Sequence, residues 1–446
     1  MKKFWLLLLL LSGLLYGCGR INAGASRRSV SGTVADMTEE TLVLETEDGF
    51  LAFSADIPAL RAKGVSPGVR VRLRLMGRLQ PEQLWQSAKI TGCRVLSGGA
   101  APESAESALQ PSEPAQAVDA LLQSMSTEEK ITQLFLIRCP VTDAPDVIAR
   151  LQPGGITLYA ENTASKDAAS LRRELELLQS LSRVPMLVAV DEEGGIVNRL
   201  SCFPAYRSAP FPTGRTAYHS GGWDAVTGLC AEQAELFRSV GVNVNLAPVC
   251  DVCGDAESYM YPRSFGGDAR LDAEYVRCVV EAYGNTRIGC VLKHFPGYGD
   301  NTDTHSAAAV DTRTLDELEG RDLLPFAAGI RSGAGAVLVA HTVVCALDGE
   351  RPASLSPAVC AYLREKMGFQ GVIITDDLFM QAARGGETAP AVEALLAGCD
   401  LLCCSDWEYE LAAVREAAAS GLISAERLDS SVRRVLLWKL RLGLLG

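Results

Sequence analysis

The sequence predicts an α/β fold, a parallel (β/α)8 barrel of the TIM type that follows a small N-terminal all-β, barrel-like domain. From residue 118 onward, apolar strand-like runs alternate with amphipathic helical stretches in about eight units, a pattern typical of a closed parallel barrel. Residues 28–95 instead show short alternating runs broken by turn signals. The length of 446 residues and the hydrophobic content of 48% allow more than one core. An open doubly wound sheet is the main alternative for the second part.

The N-terminal segment has the order of an export signal. Lys2 and Lys3 precede an apolar run, residues 6–15, which is shorter than a typical membrane-spanning helix. The segment ends in LYGC, which resembles the bacterial lipobox, a signal whose cysteine becomes the lipidated first residue, here Cys18. We expect residues 1–18 to be a lipoprotein signal peptide and the mature chain to be extracytoplasmic, held on the cell membrane by its lipid. A plain signal peptide and an uncleaved anchor are the alternatives.

Residues 28–95 are predicted to form the small all-β domain. The run GVRVRLRLMGRL, residues 68–79, alternates apolar residues with arginines, as a half-buried strand does. The domain is either a spacer or a small barrel like those that bind sugars or oligonucleotides. Residues 96–117, rich in Ala, Ser, Pro and Glu, are predicted to be a flexible linker.

The catalytic-domain candidate spans residues 118–446. Its candidate strands are ITQLFLIRC, GGITLYA, PMLVAVD, VNVNLAPVCDV, GCVLKHF, AGAVLVAH, GVIITDD and CDLLCCS. Polar groups follow several of these runs, including a Lys-His pair and an Asp-Asp pair. Active sites of such barrels lie at the C-terminal ends of the strands, so we expect these groups to gather at one rim. Asp is a common helix N-cap, which would explain some of these polar residues, but capping does not require a Lys-His or an Asp-Asp pair.

Composition excludes several classes of partner and cofactor. The formal net charge of −12 argues against nucleic acid, which requires a basic face. The 14 cysteines lie mostly in apolar runs and are interpreted as free, buried thiols, although their pairing stays open. The C-x-x-C at 250–253 is a weak zinc or redox signal, and no His pair has metal-ligand spacing. We therefore predict no metal and no cofactor.

Six separated motifs occur in order between about Met125 and the C-terminus: DEEGGIVNR, APVCDV, RSFGGD, KHFPGYGDNTDTH, AH and TDDLFM. This set resembles the β-N-acetylglucosaminidase branch of glycoside hydrolase family 3. The resemblance implies a barrel enzyme with a retaining mechanism, whose nucleophile falls on Asp376. A retaining enzyme needs an ionised carboxylate at the anomeric carbon to form a glycosyl ester. Asp377 is expected to cap or hydrogen-bond the following helix.

The same resemblance assigns the acid/base pair to Asp303 and His305. Two residues apart, they can lie on one side of an extended segment, so Asp303 can hold the tautomer of His305. A histidine can protonate the leaving oxygen and then deprotonate water, because its pKa lies near neutrality. Gly297 and Gly299 would let this loop move. An incidental histidine on a surface loop is the alternative.

Sugar binding is implied for five further residues: Asp191, Arg199, Arg263, Lys293 and His294. The carboxylate would accept hydrogen bonds from hydroxyls, and the others would donate to hydroxyls or to the acetamido group. Each could instead belong to a structural ion pair, Arg263 first among them. His341 either lines the pocket floor or packs in the core. The chain departs from the family pattern at Ile196, at Tyr298 and in DTH, where the family usually has Arg, His and DSH.

These features predict an exo-acting β-N-acetylglucosaminidase that acts on an N-acetylglucosamine-containing glycan or muropeptide, with peptidoglycan fragments as the source. A β-N-acetylglucosaminide phosphorylase and a broader β-glucosidase are the enzymatic alternatives. A non-catalytic sugar-binding lipoprotein is the alternative from another class.

Overall fold

A computed structural model describes residues 29–37, 41–46, 49–54, 60, 65, 70–76, 85–86, 89–97, 113–299, 309–384, 386 and 388–445. The chain divides into two compact units, residues 1–110 and residues 111–446. The predicted signal peptide with Cys18, and the predicted acid/base residues Asp303 and His305, lie outside the described residues. Among the helices of the described ranges, none is both long and apolar enough to cross a membrane.

The first unit contains a six-stranded sheet in the order β5-β3-β2-β1-β4-β6. Its strands are β1 Ser29–Met37, β2 Thr41–Thr46, β3 Gly49–Ser54, β4 Arg70–Met76, β5 Trp85–Gln86 and β6 Lys89–Ser97. In β4, Val71 and Leu73 are buried while Arg70 and Arg72 are exposed. The alternation predicted for this strand is therefore confirmed.

A helix begins inside the predicted linker. The helix α1, Glu113–Ser124, buries Val118 and Leu122 in the core of the second unit. Asp119 also receives Nε of Arg433 at 2.6 Å. The second unit thus begins before residue 118, because two apolar residues at i, i+4 spacing are enough to fix a helix whose composition otherwise resembles a linker.

The second unit is a closed parallel barrel. Its strands are β7 Phe135–Arg138, β8 Gly155–Leu158, β9 Leu187–Val190, β10 Val244–Asn245, β11 Gly289–Phe295, β12 Val310–Asp311, β13 Ala336–Val339, β14 Val343–Val344, β15 Asp348–Pro352, β16 Val372–Thr375 and β17 Leu402–Cys404. Eight of these form the ring in the order β16-β13-β11-β10-β9-β8-β7-β17. A parallel bridge between Ile374 and Leu401 joins the two ends. The TIM-type barrel is confirmed and the open sheet is excluded.

Helices surround the ring. They are α2 Thr127–Thr132, α3 Ala144–Leu151, α4 Ala160–Thr163, α5 Ala168–Ser180, α6 Gly214–Val240, α7 Ala269–Gly284, α8 Leu315–Gly320, α9 Leu323–Arg331, α10 Pro357–Ala361, α11 Pro390–Ala397, α12 Trp407–Ala419 and α13 Ala425–Arg441. Trp438 of α13 lies against Gly289 and Gly335, where β11 begins and just before β13. The last helix therefore closes the barrel at the N-terminal ends of its strands, which leaves the opposite rim open for a site.

Candidate active site

A buried ionic cluster lies at the C-terminal ends of β9, β10 and β11. Nζ of Lys293 lies 2.7 Å from Oδ1 of Asp191 and 2.6 Å from Oε1 of Glu193. Arg263 makes a bidentate contact with the same Glu193: its Nε lies 2.9 Å from Oε2, and its Nη2 lies 2.7 Å from Oε1. One carboxylate thus holds two cations at fixed positions, and the second carboxylate, Asp191, completes the charge balance.

The cluster shifts the titration of its members. Burial by itself would raise the pKa of Glu193, but Lys293 and Arg263 hold that pKa well below its usual range. Burial would likewise lower the pKa of Lys293, yet Asp191 and Glu193 raise it above its usual value. Each group is therefore charged at neutral pH, and the pairing compensates for the loss of hydration.

His294 is held in one orientation. Oδ2 of Asp251 lies 2.8 Å from ring Nδ1 and 3.1 Å from the backbone nitrogen of His294. The backbone N–H of Tyr298 donates to the other oxygen of Asp251 at 2.7 Å. Nη2 of Arg263 lies 3.1 Å from ring Nε2. Because a guanidinium only donates, Nε2 accepts and Nδ1–H donates to Asp251, which fixes the neutral tautomer.

A tight turn after β9 positions Arg199. Gly194 has φ +87°, and a Cβ there would lie 2.1 Å from the carbonyl oxygen of Pro212. The buried carboxylate of Glu192 accepts the backbone N–H groups of residues 199–201 at 2.8 to 3.0 Å. Arg199 itself is half-buried, and its guanidinium makes no hydrogen bond or ion pair with the described residues. Among the described residues, its guanidinium donors thus have no partner, unlike those of Arg263.

The predicted nucleophile lies at the end of β16. Asp376 accepts the backbone N–H of Asp377 on Oδ1 at 2.9 Å. The side chain of Asp377 accepts the backbone N–H groups of Phe379 and Ser405, each at 3.0 Å, and the hydroxyl of Ser405. The hydroxyl of Tyr159 also lies 3.5 Å from Asp377, and burial raises the pKa of Tyr159, so this hydroxyl remains a donor. Asp377 thus ties the turn after Asp376 to the neighbouring strand as well as to the next residues of its own chain segment.

His341 contacts the turn that follows Asp376 through a hydrogen bond to the backbone of Asp377. It is fully buried, and its ring Nε2 lies 3.0 Å from the carbonyl oxygen of Asp377. Ring Nδ1 lies 2.6 Å from the hydroxyl of Ser354. The carbonyl can only accept, so Nε2 carries the proton and Nδ1 accepts from Ser354. Of the two predicted positions for His341, the core position is the one observed.

The structure brings together Asp191, Lys293, Arg263 and His294, and it places Asp376 at the same rim. Ile196 is 68% exposed at this rim. Tyr298 is buried, with its ring edge-on to His294 at 5.1 Å between centroids.

Sequence reasoning placed the supporting carboxylates Glu192, Glu193 and Asp251 among the polar groups at the rim but assigned no role to them. Each lies in a quoted motif at a strand end, and this position was the available signal. It could not show which of several adjacent acids faces a cation. In the described ranges, no group of three or more His, Cys, Asp or Glu side chains is arranged to hold a metal ion.

Comparison with known proteins points to one family. The sequence model described as "Glycosyl hydrolase family 3 N terminal domain" matches residues 126–437. A beta-hexosaminidase of Xylella fastidiosa (strain 9a5c) is 37% identical over 255 residues, which is 56% of this chain and 75% of that protein.

Solved structures agree. A family 3 beta-N-acetylglucosaminidase from Paenibacillus sp. strain FPU-7 superposes with a TM-score of 0.67 and 30% identity. That match covers 72% of this chain and 64% of the Paenibacillus chain, slightly less than two thirds of it. A family 3 glycosyl hydrolase of Mycobacterium smegmatis (strain MC2 155) gives a TM-score of 0.64 and 32% identity, covering 71% of this chain and 98% of that one.

Proposed function

The chain belongs to glycosyl hydrolase family 3 and is a glycoside hydrolase, and from that premise we propose that it removes terminal, non-reducing β-linked N-acetylglucosamine from glycans. The names of its relatives, beta-hexosaminidase and beta-N-acetylglucosaminidase, support this substrate class. The observation that carries the proposal is the arrangement of the rim, where the strand that ends before Asp376 lies across the ring from the strands that carry the buried ionic cluster.

The proposed mechanism is a double displacement with retention. The carboxylate of Asp376 attacks the anomeric carbon and forms a glycosyl ester, while His305 protonates the leaving oxygen. His305 then takes a proton from water, which attacks the same carbon and releases the sugar. Asp303 would hold the ring of His305 and stabilise its charged form. The contacts that fix the turn after Asp376 support the nucleophile, whereas the roles of Asp303 and His305 rest on the sequence motif.

Sugar recognition is proposed for the cluster and its neighbours. Asp191 would accept hydrogen bonds from hydroxyls at the non-reducing end, and Arg199 has donors available for the ligand. Lys293 is held by two carboxylates, so its third N–H can meet a hydroxyl without rearrangement, whereas Arg263 and His294, whose donors are engaged, would contact the sugar as parts of a fixed wall. Such a closed, preorganised wall suits an enzyme that removes one terminal sugar.

The proposed setting is the outer side of the cytoplasmic membrane, where lipid-anchored Cys18 would hold the enzyme near peptidoglycan fragments. Fractionation of cells that express the full chain tests this. The unaltered chain is expected in the membrane fraction and Cys18→Ala in the soluble or secreted fraction. An unchanged distribution of Cys18→Ala would count against the lipid anchor.

Activity is tested with the full-length chain on 4-nitrophenyl N-acetyl-β-glucosaminide. We expect Asp376→Asn and His305→Ala each to abolish most release of 4-nitrophenol, while His219→Ala, an exposed histidine on α6, leaves it unchanged. Turnover that survives Asp376→Asn would remove the nucleophile assignment.

Phosphate and a second glycoside separate the enzymatic alternatives. A histidine acid/base would repel phosphate less than a carboxylate would, and this is the chemical argument for a phosphorylase. Sugar 1-phosphate among the products would establish that activity, and free sugar alone would establish hydrolysis. Faster turnover of the matching glucoside would move the assignment to a β-glucosidase. No turnover of either glycoside would leave the non-catalytic sugar-binding protein.

A further inference from the structure

The sheet of the first unit carries arginines on its exposed side. Arg70, Arg72 and Arg94 are exposed, whereas Val71 and Leu73, which alternate with the arginines of β4, are fully buried. The strands β4 and β6, on which the three arginines lie, contain no Asp or Glu. None of the three forms an ion pair with the described residues. We call these three arginines the basic face.

Two of the arginines lie directly opposite each other. Arg72 and Arg94 are partners in the antiparallel register of β4 and β6. Opposite side chains on one face of a sheet have Cβ atoms about 4.5–5.5 Å apart, and like charges at such positions are destabilising. Arg70 lies on the same face, about 7 Å along β4 from Arg72. The stability of the sheet therefore does not account for this arrangement, whereas an external anion would.

Short hydroxyl residues border the arginines on β1. Ser31 and Thr33 are the register partners of Arg72 and Arg70. The hydroxyl of Ser31 accepts a hydrogen bond from Nε of Arg72 at 3.0 Å, which leaves the other guanidinium nitrogens of Arg72 for a ligand. The arginines lie on a sheet face rather than in a concave pocket. Such a face suits an extended anionic surface better than a small ligand.

Acidic residues of the sheet border the basic face and do not interrupt it. Asp36 and Glu45 are the only acids within the six strands, and they pair with Val43 and Thr33 where β1 meets β2. Two strand spacings, about 10 Å, separate Glu45 from Arg70. The whole chain has a formal net charge of −12. An anionic surface would therefore repel most of the molecule and attract this face, which gives the attraction a direction.

The basic face is also close in sequence to the proposed lipid attachment. Ten residues, 19–28, separate Cys18 from Ser29, the first residue of β1. Ten residues span at most about 36 Å when fully extended. Ser29 is the register partner of Arg74, the alternate residue of β4 that follows Arg72. The strand that leads in from Cys18 thus lies beside the arginines of β4, so a lipid on Cys18 would keep the basic face within reach of the membrane.

We propose that the basic face docks on the anionic lipid headgroups of the membrane that holds Cys18. This contact lies outside the part of the chain that matches the glycosidase family, residues 126–437, and does not depend on the proposed activity. Headgroup phosphates accept hydrogen bonds from guanidinium groups. Each basic residue near an anionic surface strengthens binding about fivefold. The three arginines together therefore orient the first unit on the membrane, and the lipid on Cys18 holds it there.

Vesicle sedimentation tests the proposal with the chain expressed without residues 1–18, so that no lipid on the protein contributes. Vesicles of phosphatidylcholine with about one third phosphatidylglycerol are compared with pure phosphatidylcholine. We expect the chain to bind the anionic vesicles more tightly, and less so as the salt concentration rises. Joint replacement of Arg70, Arg72 and Arg94 by Gln should lower the partition coefficient on anionic vesicles about 100-fold. Joint replacement by Lys keeps the charge and should change it less than about threefold.

A matched control removes three exposed arginines from the second unit. Arg150→Gln, Arg173→Gln and Arg270→Gln, made together, change the net charge equally and should leave vesicle binding unchanged. Turnover of the aryl glycoside should be the same in every variant, which shows that the chains are folded.

Several results would overturn the proposal. They are equal binding to neutral and anionic vesicles, an equal loss in the control, and a loss in the Lys variant as large as in the Gln variant. Tighter binding to polyphosphate than to anionic vesicles, at equal phosphate concentration, would assign the basic face to a soluble polyanion instead. Because vesicle binding is read without substrate and without a lipid on the protein, failure of the proposed activity or of the lipid anchor is distinguished from failure of this inference.

Discussion

Each buried charged side chain in the rim cluster has an oppositely charged partner at hydrogen-bond distance. Glu193 is the central group, because both Lys293 and Arg263 contact it. Burying an ion is costly unless its partners are present, and removing one partner leaves the others uncompensated. The same residues therefore decide both the stability of the rim and the geometry available for sugar binding.

Glu193→Gln is expected to destabilise the chain by about 3–5 kcal/mol at neutral pH, because two buried cations lose their shared anion. The free energy of unfolding is measured by denaturant titration. Glu232→Gln, which breaks the exposed pair with Arg207, is the control and should change stability by less than about 1 kcal/mol.

The sign of the acid dependence is set by the depressed pKa of Glu193. The stabilisation that ionised Glu193 gives the folded chain is complete above its ordinary pKa of 4.5 and is lost as the pH falls below that value. The unaltered chain should therefore lose stability on acidification more steeply than Glu193→Gln. Parallel curves for the two proteins below pH 4.5 would contradict this role of Glu193.

Asp251→Asn tests the fixed tautomer of His294. An amide in this position can donate to Nδ1 and so favour the other tautomer, which turns Nε2 into a donor facing Arg263. We expect kcat/KM on the aryl glycoside to fall about 10- to 100-fold, equivalent to a hydrogen bond to a charged group. Asp268→Asn, at the N-cap of α7 where Asn caps equally well, is the control. A folded Asp251→Asn variant with unchanged kcat/KM would show that the tautomer of His294 is immaterial.

Among the elements, α13 joins the barrel interior to the outer helices. Trp438 and Leu442 pack with the strand residues inside the barrel. Lys439, between them, is fully buried, and its Nζ donates to Oε1 of Gln133 at 2.7 Å. Burial lowers the pKa of Lys439 to about 7. A helix that closes one end of the barrel thus carries a buried titrating group far from the site.

This lysine predicts that stability rises with pH above neutrality. The unfolded chain binds the proton up to the ordinary pKa of 10.5, whereas the folded chain releases it near 7, so the free energy of unfolding increases between these values. Lys439→Met should lose this rise, while Lys366→Met, at an exposed position, should keep it. Thermal unfolding midpoints from pH 7 to pH 10 provide the measurement. A rise of equal size in Lys439→Met would mean that another group causes it.

At the scale of the molecule, the features of the candidate site all lie in one of the two units. The rim cluster and the turn of Asp376 both lie in residues 111–446. The described hydrophobic clusters of the barrel also draw only on this unit. The first unit contributes a separate sheet built from its own strands.

A chain of residues 111–446 is therefore expected to fold cooperatively and to keep kcat/KM on the aryl glycoside within about threefold, because domains with their own cores fold alone. Circular dichroism and kinetics on the full and shortened chains provide the test. A shortened chain that folds but does not turn over substrate would assign the first unit a part in the active site.

Local patterns predicted much of this architecture. Each of the eight apolar runs contains one barrel strand, since alternation and helical periodicity are local properties that tertiary packing reinforces. The start of α1 was missed because only Val118 and Leu122 distinguish it from a linker. The loop assigned to Asp303 and His305 lies outside the described residues, so their pairing stays a prediction.

By itself, the sequence determined the order of the elements, the barrel and the rim at which polar groups gather, since all three depend on periodicity and on where apolar runs end. Only the tertiary structure decided which of the neighbouring carboxylates pairs with a cation and which accepts backbone N–H groups. In DEEGG, Asp191 and Glu193 meet Lys293, whereas Glu192 turns into the following loop. Closure of the ring also placed the strands of the ionic cluster opposite β16, β17 and β7. The physical reason is that adjacent side chains on an extended segment point in different directions, and only partners distant in sequence determine which charge each one meets.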